Sequence, residues 1–297
     1  MVEGQEGVTW EQWRALARAA EDAGLEGLFR SDHYLPILRG VRTGSLDAWA
    51  TLAALAAVTS RIRLGTMVSP VTFRPASVLA KSAVTVDHVS GGRLVLGIGA
   101  GWQRNEHTAY GLEFSDVKGR LDRLEEACAI VTSLLNEDRT TYDGTYYQVV
   151  NAPLAPKPPR GHLPLLVGGG GERRTMRIAA EYADEWNIWG TPELLAQKGE
   201  VLDRHCETLG RDPSSIRRSA NALLFISEDE SWLAQWRERD VGRPIILGTP
   251  AEVVDIVAAY ADVGVDELII PDFNLGDPAH RAESLDLFAE EVMAKLG

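Results

Sequence analysis

Cysteine is nearly absent: Cys128 and Cys206 are the only two in 297 residues, and each stands inside a segment of helical periodicity. That excludes a disulfide framework or a cysteine-based metal centre, and it fits a reducing, cytoplasmic setting. Positive charge is scarce as well, since 30 Lys and Arg face 43 Asp and Glu for a formal net charge of -13. A nucleic-acid partner would need clustered cations to release counterions, so none is expected. No apolar run approaches the ~20 residues that cross a bilayer, AWATLAALAAV being the longest, and no membrane contact is expected. The first residues, MVEGQEGVTW, lack the charged-then-apolar order of a secretory signal. The six histidines form neither an HxH pair at a strand end nor an HExxH helix, and no G-x-S-x-G elbow occurs, which argues against a metal site or a serine hydrolase.

What is present is a regular alternation. A chain that is 45% hydrophobic and 25% charged can bury a large core, and a single domain over 1–297 is expected. Strand-like segments (LEGLFRSDHY, RIRLGTMVSPV, RLVLGIG, PLLVGG, DEWNIW, RRSANALLFIS, DELIIP) alternate with helix-period segments, the pattern of repeated βα units and a parallel sheet. Thr9 and Ser45 are the expected caps of the first two helices. Two excursions interrupt the repeat. Residues 140–163 hold a Tyr-Asp-Gly turn and lead into a proline-rich stretch, read as an antiparallel hairpin, and 227–244 reads as irregular.

The fold class implied is α/β, an eight-stranded TIM barrel with insertions and a first strand that is truncated or missing. Seven strands are legible, and MVEGQEG is too short for a full strand plus a loop. Either that strand is a stub or the sequence begins inside it. The second is expected, because a gap would leave backbone groups unsatisfied.

In a barrel, the carboxyl ends of the strands share one mouth. RLVLGIGAGWQRNE, with Gly97, Gly99 and Gly101, ends one strand. It is not a dinucleotide fingerprint: Trp102 stands where the last glycine belongs, and no acidic residue ends the following strand. FRSDHYL places Asp32 and His33 side by side, a carboxylate beside an imidazole whose tautomer it could set. LGTMVSPVTFRP reads as a strand that kinks before its end. LLVGGGGERRT puts Gly168, Gly169, Gly170 and Gly171 before a helix with Arg173 and Arg174 close by, a seat for phosphate.

Taken together, SDH, the RIRLGTMVSPVTFRPASVLAK and RLVLGIGAGWQRNEHTAYG blocks, LLVGGGGERRTMRIAAEYADEWN and GTPAEVVDIVAAYADVGVDELII resemble the luciferase-like monooxygenase superfamily, and within it the coenzyme F420-dependent oxidoreductases. The resemblance runs over nearly the whole chain. It implies a deazaflavin ring lying across the mouth, backed by a strand bend with a non-prolyl cis peptide that falls at Met67 and Val68. It further implies phosphate on the Gly168–Gly171 amides, and Gly99, Asn105, Asp32 and Arg173 as further cofactor contacts. The chemistry implied is hydride transfer between F420 and a small, fairly apolar organic molecule, with His33 as the proton carrier and Asp32 orienting it or bonding the ring. In the sugar-phosphate dehydrogenases of that branch a glutamate acts as acid where this chain has Trp102, so Trp102 is expected to shape a substrate pocket instead. The resemblance also implies a homodimer. An FMN-dependent monooxygenase and a non-catalytic flavin-binding protein are the alternatives.

Overall fold

The computed structural model of the protein describes residues 1–37, 44–272, 274–275 and 278–296. Thr9 starts the first helix, α1 (Trp10–Asp22), with a reciprocal capping box: its hydroxyl accepts the Gln12 N–H, and Gln12 Oε1 accepts its own N–H at 2.8 Å. Trp13, Ala17 and Ala20 then fall on one face and are buried. The cap of α2 (Ala48–Val58) is Asp47 rather than Ser45, because the Asp47 carboxylate accepts the Ala50 N–H at 2.9 Å. Ser45 instead donates to the backbone oxygen of His33 at 2.9 Å and helps hold that loop.

The strands form a parallel sheet in the order β1 (Gly27–Arg30), β2 (Arg63–Thr66), β4 (Leu94–Gly99), β7 (Leu165–Gly168), β8 (Glu185–Trp189), β9 (Arg217–Asn221) and β12 (Glu267–Ile269). β3 (Ser69–Pro70) continues β2 beyond a bend and pairs with β4. Crossover helices α3 (Ala76–Ser90), α5 (Val117–Asn136), α6 (Thr175–Tyr182), α7 (Pro192–Leu209) and α9 (Pro250–Asp262) clothe the outside, and short α4 (Arg104–Ala109) precedes α5. β4 is buried along its whole length, as a strand covered on both faces must be.

The position of the first barrel strand is not a gap. Val2 N–H donates to Phe29 O at 2.8 Å and Ser31 N–H to Val2 O at 3.2 Å, while on the other side the Met1 amino group reaches Ile270 O at 2.7 Å and Asp272 N–H reaches Met1 O at 3.0 Å. Met1 and Val2 therefore bridge β1 and β12 and pair backbone groups that a gap there would leave unsatisfied.

Two further expectations need correction. RRSANALLFIS is not one strand: β9 ends at Asn221 and β10 (Leu223–Ile226) pairs elsewhere, with β11 (Ile245–Gly248), a strand that sequence reading missed. The excursion 227–244 is not irregular throughout either, since Asp229 caps a helix, α8 (Glu230–Arg237). The excursion 140–163 does carry the expected hairpin, β5 (Thr140–Asp143) against β6 (Gln148–Ala152).

Charged groups close the floor of the barrel. Arg63 on β2 reaches Glu185 on β8, Glu267 on β12 and Glu26, and Arg217 also bonds Glu26. Burial pushes the Glu267 carboxyl up to about 7 against the pull of Arg63 and Arg217. Between an ordinary carboxylate value and that one, the native state holds a proton that the unfolded chain has lost. Stability therefore falls as pH rises through this window. Glu267→Gln should gain on the native protein by about 1–3 kcal/mol between pH 5 and pH 8, measured by urea unfolding at both. A difference that does not change with pH would contradict the assignment.

Candidate active site

The bend between β2 and β3 shapes everything at the mouth. The Met67–Val68 peptide bond is cis, at the position the sequence reading named. Val68 is directed toward the neighbouring strands, and the glycines there provide the room: a Cβ on Gly99 would sit 2.7 Å from one Val68 methyl, and one on Gly168 2.9 Å from the other. A Cβ on Gly97 would sit 2.0 Å from the backbone oxygen of Thr66. The glycines of GIG are thus clearance for a bent neighbour in the first place.

A cavity of about 870 Å³ opens where the strands end. His33, Met67, Val68, Gly99, Trp102, Gly168, Gly169 and Gly170 all line it, so the carboxyl ends of β1, β3, β4 and β7 share one hollow. Gly169 has φ +128°, a conformation that L side chains rarely adopt. Its N–H donates to Asn187 O at 2.9 Å and its carbonyl accepts from Trp186 Nε1 at 3.0 Å, so the turn is held from β8. Among the described residues, no backbone bond takes up the N–H of Gly170 or Gly171.

His33 is fixed by a residue far from it in the sequence. Its Nδ1 lies 2.8 Å from Oε1 of Glu106, on α4, and the other oxygen of Glu106 accepts the N–H of Tyr34 at 2.9 Å and of Leu35 at 3.4 Å. Glu106 is fully buried and the His33 side chain is only 10% exposed. A carboxylate that accepts two amides is an acceptor toward the ring too, which puts the proton on Nδ1 and leaves Nε2 for the cavity. The Trp102 ring stands edge-on to His33, with centroids 5.6 Å apart. Trp102 itself is 60% exposed at the rim.

Asp32 does not orient His33. Its buried carboxylate accepts from Ser69 Oγ at 2.6 Å and from Arg74 at 2.6 Å, so it ties the end of β1 to β3. Burial works against the Arg74 charge, but Asp32 more than offsets it and raises the guanidinium above its ordinary value. Asp32 is not among the residues of the cavity wall, and neither are Asn105, Gly171 and Arg173, which are exposed. Arg174 is engaged with Asp122 and Glu125 on α5.

Several cavity residues carried no signal that the sequence reading used. Ser31 and Gln5 are joined by a short hydrogen bond next to His33, with Glu3 and Glu6 beside them. Ile37 and Trp102 line the same cavity. Across the cavity stand Asn187, Trp189, Lys198 and Arg243. Asn187 was within reach of sequence reasoning, because it alternates with buried Trp186 and Ile188 in EWNIW and so must face the barrel interior. Its amide donates to Ser219 Oγ at 2.9 Å and Asn221 Oδ1 at 3.1 Å. Among the described residues no group of His, Cys, Asp and Glu could hold a metal ion, and no helix is long and apolar enough to cross a membrane.

The family described as luciferase-like monooxygenase matches residues 2–239. An F420-dependent glucose-6-phosphate dehydrogenase of Amycolatopsis mediterranei is 34% identical over 320 residues, covering 93% of this chain and 92% of that protein. Among solved structures, a coenzyme F420 dependent tetrahydromethanopterin reductase from Methanopyrus kandleri superposes with a TM-score of 0.81 at 19% identity, over 100% of this chain and 98% of that one. The monooxygenase RslO1 from Streptomyces bottropensis gives 0.82 at 21% identity, over 97% and 94%. These two share the barrel fold.

Proposed function

Because the chain belongs to the luciferase-like monooxygenase family, we propose that it is a coenzyme F420-dependent oxidoreductase acting on a small organic molecule that gives or takes a hydride and a proton. The observation that carries this reading is the single cavity shared by His33, the Met67–Val68 bend and the glycine turn. The residues present fit a deazaflavin: Met67 and Val68 offer an apolar wall to a flat ring, and the Gly170 amide, with that of Gly171 next to it ahead of α6, offers donors to an anionic tail. The bound ring supplies or accepts the hydride.

The protein's own part is orientation and proton handling. Glu106 holds the His33 imidazole through Nδ1, and Nε2 takes the proton from a substrate hydroxyl or amine as the carbon is oxidised, returning it in the reverse direction. Ser31 and Gln5 can hydrogen-bond the same substrate group, and Trp102 narrows the water path to His33. A second copy of the chain against the exposed, uncharged side of α2 (Ala50, Ala57 and Val58) belongs to the same proposal.

Titrating purified protein with F420 and with FMN tests the reading. Micromolar protein should quench the fluorescence of F420 and not that of FMN. A preference for FMN would replace it with a flavin monooxygenase, and F420 binding without reoxidation by any enone or imine would replace it with a passive binder.

A further inference from the structure

The cationic side chains across the cavity from His33 are Lys198 and Arg243, and they are not alike. Lys198 is committed: its Nζ donates to Gly170 O at 3.2 Å and pairs with Glu172 at 2.7 Å. Arg243 ends the second excursion just before β11, and its guanidinium carbon lies 4.8 Å from the centre of the Trp189 ring at the end of β8. No carboxylate among the described residues pairs with it. A guanidinium held over an indole face keeps N–H donors that can meet a two-oxygen acceptor. This is a braced cation in the wall of a cavity, in a chain whose net charge is -13.

We propose that Arg243, supported by Trp189, recognises an anionic group, phosphate or carboxylate, at the end of the cavity remote from His33. The group is distinct from the one seated on the glycine amides. The proposal rests on the deazaflavin reading only for the source of that anion, which is either the acidic tail of the cofactor or an acid on the substrate. A point charge would attract either, but the planar fork selects paired oxygens.

The test compares the native protein with Arg243→Gln and Arg243→Lys. Arg243 is exposed and holds no ion pair among the described residues, so the unfolding temperature should stay within error of the native value. Calorimetry with inorganic pyrophosphate on the ligand-free protein should show affinity reduced about tenfold in Arg243→Gln and by less in Arg243→Lys. A parallel tenfold loss for F420, with none for the tail-less deazaflavin alcohol, assigns the anion to the cofactor tail. F420 affinity unchanged, with pyrophosphate competing against substrate only in the native protein, assigns it to the substrate. Equal pyrophosphate affinity in the native protein and Arg243→Gln, or none in either, overturns the proposal. Failure of F420 to bind at all, with pyrophosphate binding still dependent on Arg243, removes the deazaflavin reading and leaves the anion site standing.

Discussion

With His33 replaced by glutamine, turnover should fall by about 10² to 10⁴-fold while F420 affinity stays within a few-fold, because a positioned proton carrier acts on the chemical step and not on ring binding. The expected companion is Glu106→Gln, with a loss of about 10²-fold. Its cause is geometric. The two oxygens of Glu106 accept from three N–H groups, one on the His33 ring and two on the backbone of Tyr34 and Leu35. An amide has one accepting end only. If its oxygen faces the backbone, its NH₂ faces Nδ1 and forces the His33 proton onto Nε2, where it can no longer receive one. If its oxygen faces Nδ1, the NH₂ meets two buried donors. Either arrangement impairs the reaction, and pre-steady-state measurement of cofactor reduction separates this from binding. Native-like rates in both variants would remove His33 from the chemistry.

The second large effect concerns the bend. Gly97→Ala should lower stability by about 3 kcal/mol and abolish F420 quenching with it. The added methyl would meet a backbone atom, Thr66 O, at 2.0 Å, and that oxygen cannot retreat without opening the β2–β4 pairing that Leu64, Gly65, Leu94 and Val95 make. The Thr66 hydroxyl donates to Gly97 O at 2.7 Å and locks the same contact from its other side. Gly44→Ala is the control, since among the described residues a Cβ there would meet nothing within 4 Å, and it should shift stability by no more than about 0.5 kcal/mol. Urea unfolding compares the two. Equal midpoints would mean that the strand yields where this account holds it rigid.

What the sequence revealed and what it hid follow from the range of each interaction. The βα repeat, the hairpin at residues 140–152 and a kink within LGTMVSPVTFRP were legible, because periodicity, turn residues and an early proline are local signals, while the family resemblance put that kink at Met67 and Val68. The meaning of the glycines was only half legible. GIG and GGGG looked like a cofactor seat, yet Gly97 is there for Thr66 and Gly99 for Val68, neighbours that no local pattern announces. The partner of His33 went the same way. Asp32 was adjacent in sequence, but successive residues on an extended chain point apart, and its carboxylate turned to Arg74 and Ser69. Glu106, 73 positions away, was brought in by the turn of α4 and the two amides after His33. The stub at Met1 and Val2 could not be read as a strand because its pairing comes entirely from the edges of β1 and β12.

The most direct test of the central claim is a crystal structure of the protein soaked with F420. The expected result is the ring against Met67 and Val68 within reach of His33 Nε2, and the phosphate on the Gly170 and Gly171 amides. Density for the ring elsewhere on the molecule, or with its tail turned toward His33, would contradict it.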